Sequence, residues 1–150
     1  MSPLFSELGT IVGKRGLLVG ESRTRRYRTG FRFGSGKALA VVRPGGLVEL
    51  WRVVNACARA GVIVIMQAAN TGLTGGSTPD GDDYDRDVVI VSTTRLDGIH
   101  LVRGGKQVIC LPGSRLFELE DKVAEVGREP HSRIGSSCIG ASIVGWEDPR

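Results

Sequence analysis

The 150-residue chain lacks most of the features that mark membrane, secreted and metal-binding proteins. No apolar run approaches the ~20 residues of a membrane-spanning helix. The N-terminal residues, MSPLFSELG, have neither the positive region nor the apolar region of a secretory signal, which predicts a cytosolic product. The three cysteines form no C-x-x-C pair and the two histidines are isolated, so neither a disulfide framework nor a metal site is predicted.

Two nucleotide-binding fingerprints are also missing. The segment GSGKA ends like a P-loop, but that pattern needs glycine and then Ser or Thr where the chain has Phe31 and Ala38. No G-x-G-x-x-G is present, so a Rossmann dinucleotide site is not indicated. The acidic turn DGDDYDRD lacks the glycine of a calcium-binding loop, because Val88 occupies that position.

Positive charge is concentrated at the N-terminus. Residues 1–37 hold eight basic and two acidic residues, a net +6, whereas residues 38–150 hold twelve and fourteen, a net −2. We interpret residues 1–37 as a basic arm that begins with a short amphipathic segment, SELGTIVG, and continues as an irregular stretch, ESRTRRYRTGFRFGSGK, over the body of the protein. Its aromatic side chains among arginines also suit acidic lipid or nucleic acid. Because the basic block is short, a solvated or internally paired segment is favoured, and no nucleic-acid partner is expected.

Residues 38–66 predict a strand–helix–strand unit. ALAVVRP is a buried strand that Pro44 stops, and VIVIM is a second one. Between them, apolar residues at helical spacing from Leu47 to Ala58 predict a helix that Gly61 ends. A βαβ unit of this length makes the two strands parallel.

The following segments add a further strand, a hairpin and a helix. DVVIVST predicts the strand, and GIHLVRGGKQVICL predicts a hairpin around Gly104 and Gly105. SRLFELEDKVAEVG predicts a helix with Ser114 as its cap and Gly127 at its end. A parallel unit together with a hairpin predicts an α+β fold.

Two glycine-rich runs are candidate ligand segments. The first, NTGLTGGST, is compatible with a surface turn or with a phosphate cradle, since glycine lets backbone N–H groups approach a phosphate closely. Its position after a βαβ strand favours the cradle, because open α/β sheets bind ligands at the carboxyl ends of strands. The second, IGSSCIGASIVG, is either a packed core segment or a backbone wall against a flat ring.

These runs carry a family resemblance. MQAANTGLTGGSTPDGDDYDRDVVIVST and GREPHSRIGSSCIGASIVG resemble the FAD-binding domain of the quinone-dependent D-lactate dehydrogenase family, within the wider group of FAD-linked oxidases. The resemblance runs from about residue 5 to Gly145. It implies an α+β domain with a parallel βαβ lobe and a mainly antiparallel lobe. The chain then divides into the basic arm at 1–37, a partial FAD-binding domain at 38–145 and a divergent tail at 146–150.

The resemblance also implies which residues contact FAD. It places pyrophosphate contacts in the first run and further contacts in the second: Ala68, Ala69, Asn70, Thr71, Gly72, Gly76 and Ser77, then Gly135 and Ser142. The family binds FAD non-covalently, so His131 is not assigned as an attachment site. No catalytic residue is assigned within this chain.

The implied reaction is oxidation of D-lactate to pyruvate by FAD, with electrons passed to membrane quinone at the cytoplasmic side of the inner membrane. The family continues with glycine and an Asn-Asn-Ser-Gly-Gly segment where this chain has WEDPR at 146–150. We therefore interpret the chain as an N-terminal fragment with little activity of its own. Two alternatives remain open: a non-catalytic flavin-binding or interaction fragment, and a flavin oxidase for another 2-hydroxy acid.

Overall fold

The computed structural model describes residues 3–81 and 83–130. The elements in chain order are α1 (Pro3–Gly16), β1 (Leu17–Leu18), α2 (Glu21–Arg28), β2 (Ala40–Val42), α3 (Leu47–Arg59), β3 (Ile63–Gln67), β4 (Val88–Ser92), β5 (Ile99–Val102), β6 (Gln107–Cys110) and α4 (Leu116–Ala124). Within these ranges no helix has the length and apolar character needed to cross a membrane.

Four strands form the main sheet, in the order β1-β2-β4-β3. Both β2 and β3 pair in parallel with β4, which lies between them, and Ile90 of β4 is opposite Val41 on one side and Ile65 on the other. The short β1 pairs antiparallel with β2. The predicted βαβ unit is therefore confirmed, with β4 inserted between its two strands. The carboxyl ends of all three parallel strands meet at one edge of the sheet.

Helices cover both faces of this sheet, as a largely parallel sheet requires. Alternate strand residues point to opposite faces, so neighbouring valines enter different cores. The core under α1 and α3 contains Leu4, Leu8, Val12, Val42, Val53, Ala56, Cys57, Val89 and Val91. The core on the other face contains Leu18, Tyr27, Val41 and Ile90.

The prediction of an irregular stretch was wrong for residues 21–28, which form the helix α2, whereas the predicted amphipathic segment lies within α1. In α1, Leu4, Leu8 and Val12 recur every four residues and bury one face against α3. In α2, Thr24 and Tyr27 are buried among charged neighbours. The chain then turns back through residues 29–36, where Thr29 and Ser35 form an antiparallel bridge. The proposed domain boundary near residue 38 stays a prediction.

The predicted hairpin and final helix are confirmed. Strands β5 and β6 pair antiparallel, and α4 packs against β5. The predicted cap was wrong, because Arg115 rather than Ser114 precedes the first helical residue. The Ser114 hydroxyl instead donates to the Gly98 carbonyl oxygen at 3.0 Å and accepts from the Gly98 N–H at 2.8 Å. The parallel sheet and the antiparallel hairpin together confirm the α+β class.

Candidate functional site

A cleft of about 260 Å³ lies at the edge of the sheet where the parallel strands end. We call it the carboxyl-edge cleft. Its walls are Arg26, Tyr27, Arg43, Gln67, Ala68, Ala69, Asn70 and Thr94. Arg43 directly follows β2, Gln67 ends β3, and Thr94 lies two residues beyond β4. Open α/β sheets bind their ligands at this edge.

The loop after β3 is fastened to the N-terminal segment. Gln67 is buried, and its side-chain Nε2 donates to the Tyr27 carbonyl at 2.8 Å and to the Ser77 carbonyl at 2.7 Å. The Asn70 Nδ2 donates to the Thr29 carbonyl at 2.9 Å. Two amide side chains therefore join the loop to residues about forty positions earlier. The segment first interpreted as an arm is a structural support of the cleft.

Asn70 also closes the loop on itself. Its Oδ1 accepts from the Ser77 hydroxyl at 3.0 Å and from the Thr78 hydroxyl at 3.2 Å. Its backbone has φ of 57°, the left-handed region that asparagine tolerates better than most residues. The side chains of Asn70 and Ser77, both among the predicted FAD contacts, thus bond to each other in this structure.

The three loop glycines differ in what surrounds them. At Gly72 and Gly76 an added Cβ would meet no heavy atom of the described residues within 4 Å, and neither residue has a left-handed backbone. Gly75 has φ of 77°, and an added Cβ would lie 3.6 Å from the Phe33 Cβ. Glycine is therefore required at position 75 by the backbone conformation of the loop. Gly72 and Gly76 leave open a surface that a ligand can approach closely.

The structure places the predicted contact residues on one continuous loop. Ala68, Ala69 and Asn70 line the carboxyl-edge cleft. The other predicted contact residues of this loop lie outside the residues that line the cleft: Thr71, Gly72, Gly76 and Ser77. Gly135 and Ser142 lie outside the described residues. The contact of each of these residues with FAD stays a prediction.

Sequence reasoning missed the two arginines and the glutamine of the cleft. Arg43 and Gln67 had a usable signal, since each is a polar residue at the carboxyl end of a buried strand. Arg26 had none, because α2 was not predicted and its approach to the cleft depends on how that helix packs. The Arg26 guanidinium donates to the Tyr27 hydroxyl at 2.6 Å and lies 4.7 Å from the centre of that ring.

Cys57 is a packing residue of the core, and Cys110 is partly buried. Burial, and to a lesser extent the negative charge of Glu7, raises the pKa of the Cys57 thiol from 9.0 to about 11. Burial also raises the pKa of Cys110. A thiol with a raised pKa stays protonated at neutral pH and is a poor nucleophile. In residues 3–81 and 83–130 no group of three or more His, Cys, Asp or Glu could hold a metal ion.

A second and larger cleft, of about 470 Å³, lies at the opposite edge of the sheet. It is lined by the residues where β2 and β4 begin and by part of the acidic turn, including Asp85, Arg86 and Asp87. Arg86 pairs there with Asp85 at 3.2 Å in an exposed position. We assign the candidate site to the smaller cleft, because ligand sites in such sheets lie at the carboxyl edge.

One family model matches most of the chain. Residues 38–146 match the FAD binding domain family over most of the chain, including the whole glycine loop. The chain belongs to the FAD binding domain family. FAD is the cofactor of this domain.

Two curated relatives are much longer than this FAD domain. The quinone-dependent D-lactate dehydrogenase of Haemophilus influenzae is 61% identical over 142 residues, which are 95% of this chain and 25% of the relative. The quinone-dependent D-lactate dehydrogenase of Escherichia coli is 60% identical over 141 residues, which are 94% of this chain and 25% of the relative. The chain therefore spans about a quarter of the length of these relatives.

Solved structures share the fold of the FAD domain at low sequence identity. An alkyldihydroxyacetonephosphate synthase superposes with a TM-score of 0.81 at 17% identity, over 95% of this chain and 28% of its own. A chitooligosaccharide oxidase superposes with a TM-score of 0.70 at 16% identity, over 92% of this chain and 29% of its own. The predicted FAD-linked oxidase fold is confirmed.

Proposed function

We propose that this chain binds the pyrophosphate of FAD at the carboxyl-edge cleft and the adjoining glycine loop, as the FAD domain of a quinone-dependent D-lactate dehydrogenase. The observation that carries the proposal is the open surface at Gly72 and Gly76, directly beyond a cleft at the carboxyl edge of the sheet. When bound, FAD accepts the electrons of the oxidised substrate, while the protein positions and tunes it.

The loop is suited to this task because it is held in place before a ligand arrives. Gln67 and Asn70 together make five side-chain hydrogen bonds that fix where the loop leaves β3 and where it returns at Ser77. A preorganised loop loses less conformational entropy on binding than a mobile one. Small residues at positions 68, 69, 72 and 76 then let the backbone approach the phosphates.

For the whole protein we propose oxidation of D-lactate to pyruvate, with electrons passed to membrane quinone at the cytoplasmic surface of the inner membrane. The support is identity of 60–61% to relatives with that name. Since the chain spans about a quarter of their length, we expect the isolated chain to bind FAD without oxidising D-lactate. D-lactate-dependent reduction of a quinone analogue by the isolated chain, at a rate typical of enzymes, would contradict this expectation.

The FAD site is tested by Gly72→Val and Gly76→Val in this chain. Both positions have room for a side chain and an ordinary backbone, so the fold should tolerate the change. The valine would occupy the space through which a phosphate approaches, and a steric cost of about 1–3 kcal/mol weakens FAD binding about 5- to 150-fold. Titration of FAD fluorescence measures the dissociation constant.

Gly9→Ala is the control, because Gly9 lies in α1 and an added Cβ there makes only an ordinary contact with Leu17 at 3.6 Å. It should leave FAD affinity unchanged. Unchanged affinity in both valine variants, or no binding of FAD by the unsubstituted chain, would refute the assignment of the pyrophosphate to this loop.

A further inference from the structure

Two arginines from distant parts of the chain meet on the wall of the carboxyl-edge cleft. Arg26 comes from α2, and Arg43 follows the last residue of β2. The other six lining residues are uncharged, so among the described residues the wall that the two cations share includes no carboxylate. A concave surface with charge of one sign concentrates ligands of the opposite sign. The charge of this cleft therefore favours an anion.

Arg43 is fixed at its backbone but incompletely satisfied at its side chain. Its N–H donates to the Gly16 carbonyl at 2.8 Å, and its carbonyl accepts from the Arg95 Nη1, also at 2.8 Å. Its side-chain Nε is buried and has no hydrogen-bond partner in the described structure. A buried, unpaired N–H of a charged group costs more free energy than a neutral one, so its presence calls for an explanation.

Arg26 is oriented differently. Its guanidinium donates to the hydroxyl of Tyr27 and lies over that ring, while the Tyr27 carbonyl accepts from Gln67 at the end of β3. Tyr27 thus connects Arg26 to the glycine loop. The first arginine is held at the mouth of the cleft by a buried tyrosine, and the second has a donor that nothing in the described chain accepts.

We propose that Arg43, with Arg26 beside it, binds the pyrophosphate of FAD in the carboxyl-edge cleft. The inference rests on the proposed function and adds the charge that the glycine loop cannot supply. A guanidinium presents Nε and one Nη as two parallel donors to phosphate oxygens, a geometry that lysine cannot reproduce. Because the Arg43 Nε has almost no solvent exposure, the side chain has to turn toward the cleft for a bound anion to become its acceptor.

The test is titration of the chain and of Arg43→Gln with three probes: FAD, ADP and riboflavin. FAD and ADP share the pyrophosphate, and riboflavin has none. We expect the variant to bind FAD and ADP about tenfold more weakly or worse, as for loss of a charge-assisted hydrogen bond, and riboflavin with unchanged affinity. Arg43→Lys should recover only part of the loss, because it restores the charge without the paired donors.

Arg86→Gln is the matched control, since it removes the same charge from the opposite edge of the sheet and should leave all three affinities unchanged. Without ligand, Arg43→Gln should melt at the same temperature as the parent chain or higher, because the unpaired donor is gone. Unchanged FAD and ADP affinity, an equal loss for riboflavin, or a lower melting temperature without ligand would each overturn the inference. Failure of the unsubstituted chain to bind FAD would instead overturn the proposed function.

Discussion

Substitution of Asn70 should destabilise the chain more than any other single change in the glycine loop. The Asn70→Gly variant loses three side-chain hydrogen bonds, to the Thr29 carbonyl and to the Ser77 and Thr78 hydroxyls. Each hydrogen bond stabilises the fold by about 0.5–1.5 kcal/mol net. The loss of the Asn70 Oδ1 also deprives the buried Thr78 hydroxyl of its acceptor in that bond. We expect the free energy of unfolding to fall by about 2–4 kcal/mol.

Comparison of Asn70→Ala with Asn70→Gly separates the loss of the side-chain hydrogen bonds from the cost of the backbone conformation. The alanine variant loses the same three bonds and must also adopt φ of 57°, which glycine does without strain. Alanine should therefore cost about 1 kcal/mol more than glycine. Urea denaturation measures both values, and with a slope of about 2 kcal/mol per molar the glycine variant should unfold at a urea concentration about 1–2 M lower.

Arg103 supplies the control, because it is the other described non-glycine residue with positive φ, at 52°. Arg103→Gly lies in the β5–β6 turn and should leave stability unchanged or raise it, since it relieves the backbone and only a surface side chain is lost. If Asn70→Gly unfolds at the same urea concentration as the parent chain, the three bonds do not hold the loop and the argument for a preorganised site is wrong.

Two further predictions concern the fold. Gly36→Ala should lower the free energy of unfolding by about 1–3 kcal/mol, because its Cβ would collide with the Gly81 carbonyl oxygen. Its control, Gly9→Ala in α1, should raise the free energy of unfolding by up to about 1 kcal/mol. Urea denaturation compares the two variants, and a Gly36→Ala variant as stable as the parent chain would contradict the observed packing. Cys57 should react with iodoacetamide far more slowly than Cys110 at pH 8, and equal alkylation rates would contradict the burial of Cys57. The free energy of unfolding should fall as pH rises from 9.0 through about 11, because the folded chain favours the protonated Cys57 thiol.

The sheet and the hairpin were predictable because their signals are local. Continuous apolar runs such as VVIVS belong to strands buried on both faces, and the Gly104-Gly105 pair specifies a turn. The insertion of β4 between β2 and β3 was not predictable in this way. Strand order depends on contacts between segments far apart in sequence, which no pattern within one segment records.

The helix α2 was missed for a physical reason. Its eight residues, ESRTRRYR, contain one large hydrophobic side chain, so no apolar stripe is visible. Tyr27 is its one large buried side chain, beside the smaller buried Thr24, and the basic residues of the last turn suit the negative end of the helix dipole. A search for amphipathic patterns cannot find a helix whose stability comes from one buried ring and from its ends.

The glycine loop lies directly after β3, where the sequence places it, but the bonds within it were not predicted. Asn70 and Ser77 were both predicted to contact FAD, and in the structure their side chains bond to each other. Such pairing depends on the left-handed turn at Asn70, which sequence suggests only weakly. The cations near the loop were missed because Arg43 was interpreted as part of a strand end and Arg26 as part of a solvated arm.

Gln67 and Asn70 donate to the carbonyls of Tyr27 and Thr29, which lie before the first residue of the family match. The residues that shape this site therefore extend beyond the matched segment. A protein engineer who grafted residues 38–146 onto another scaffold would transfer the glycine loop without the main-chain acceptors that fix its shape. The graft would contain the recognisable sequence and lose the geometry. The smallest transferable flavin-binding unit therefore has to include α2 and the turn that follows it.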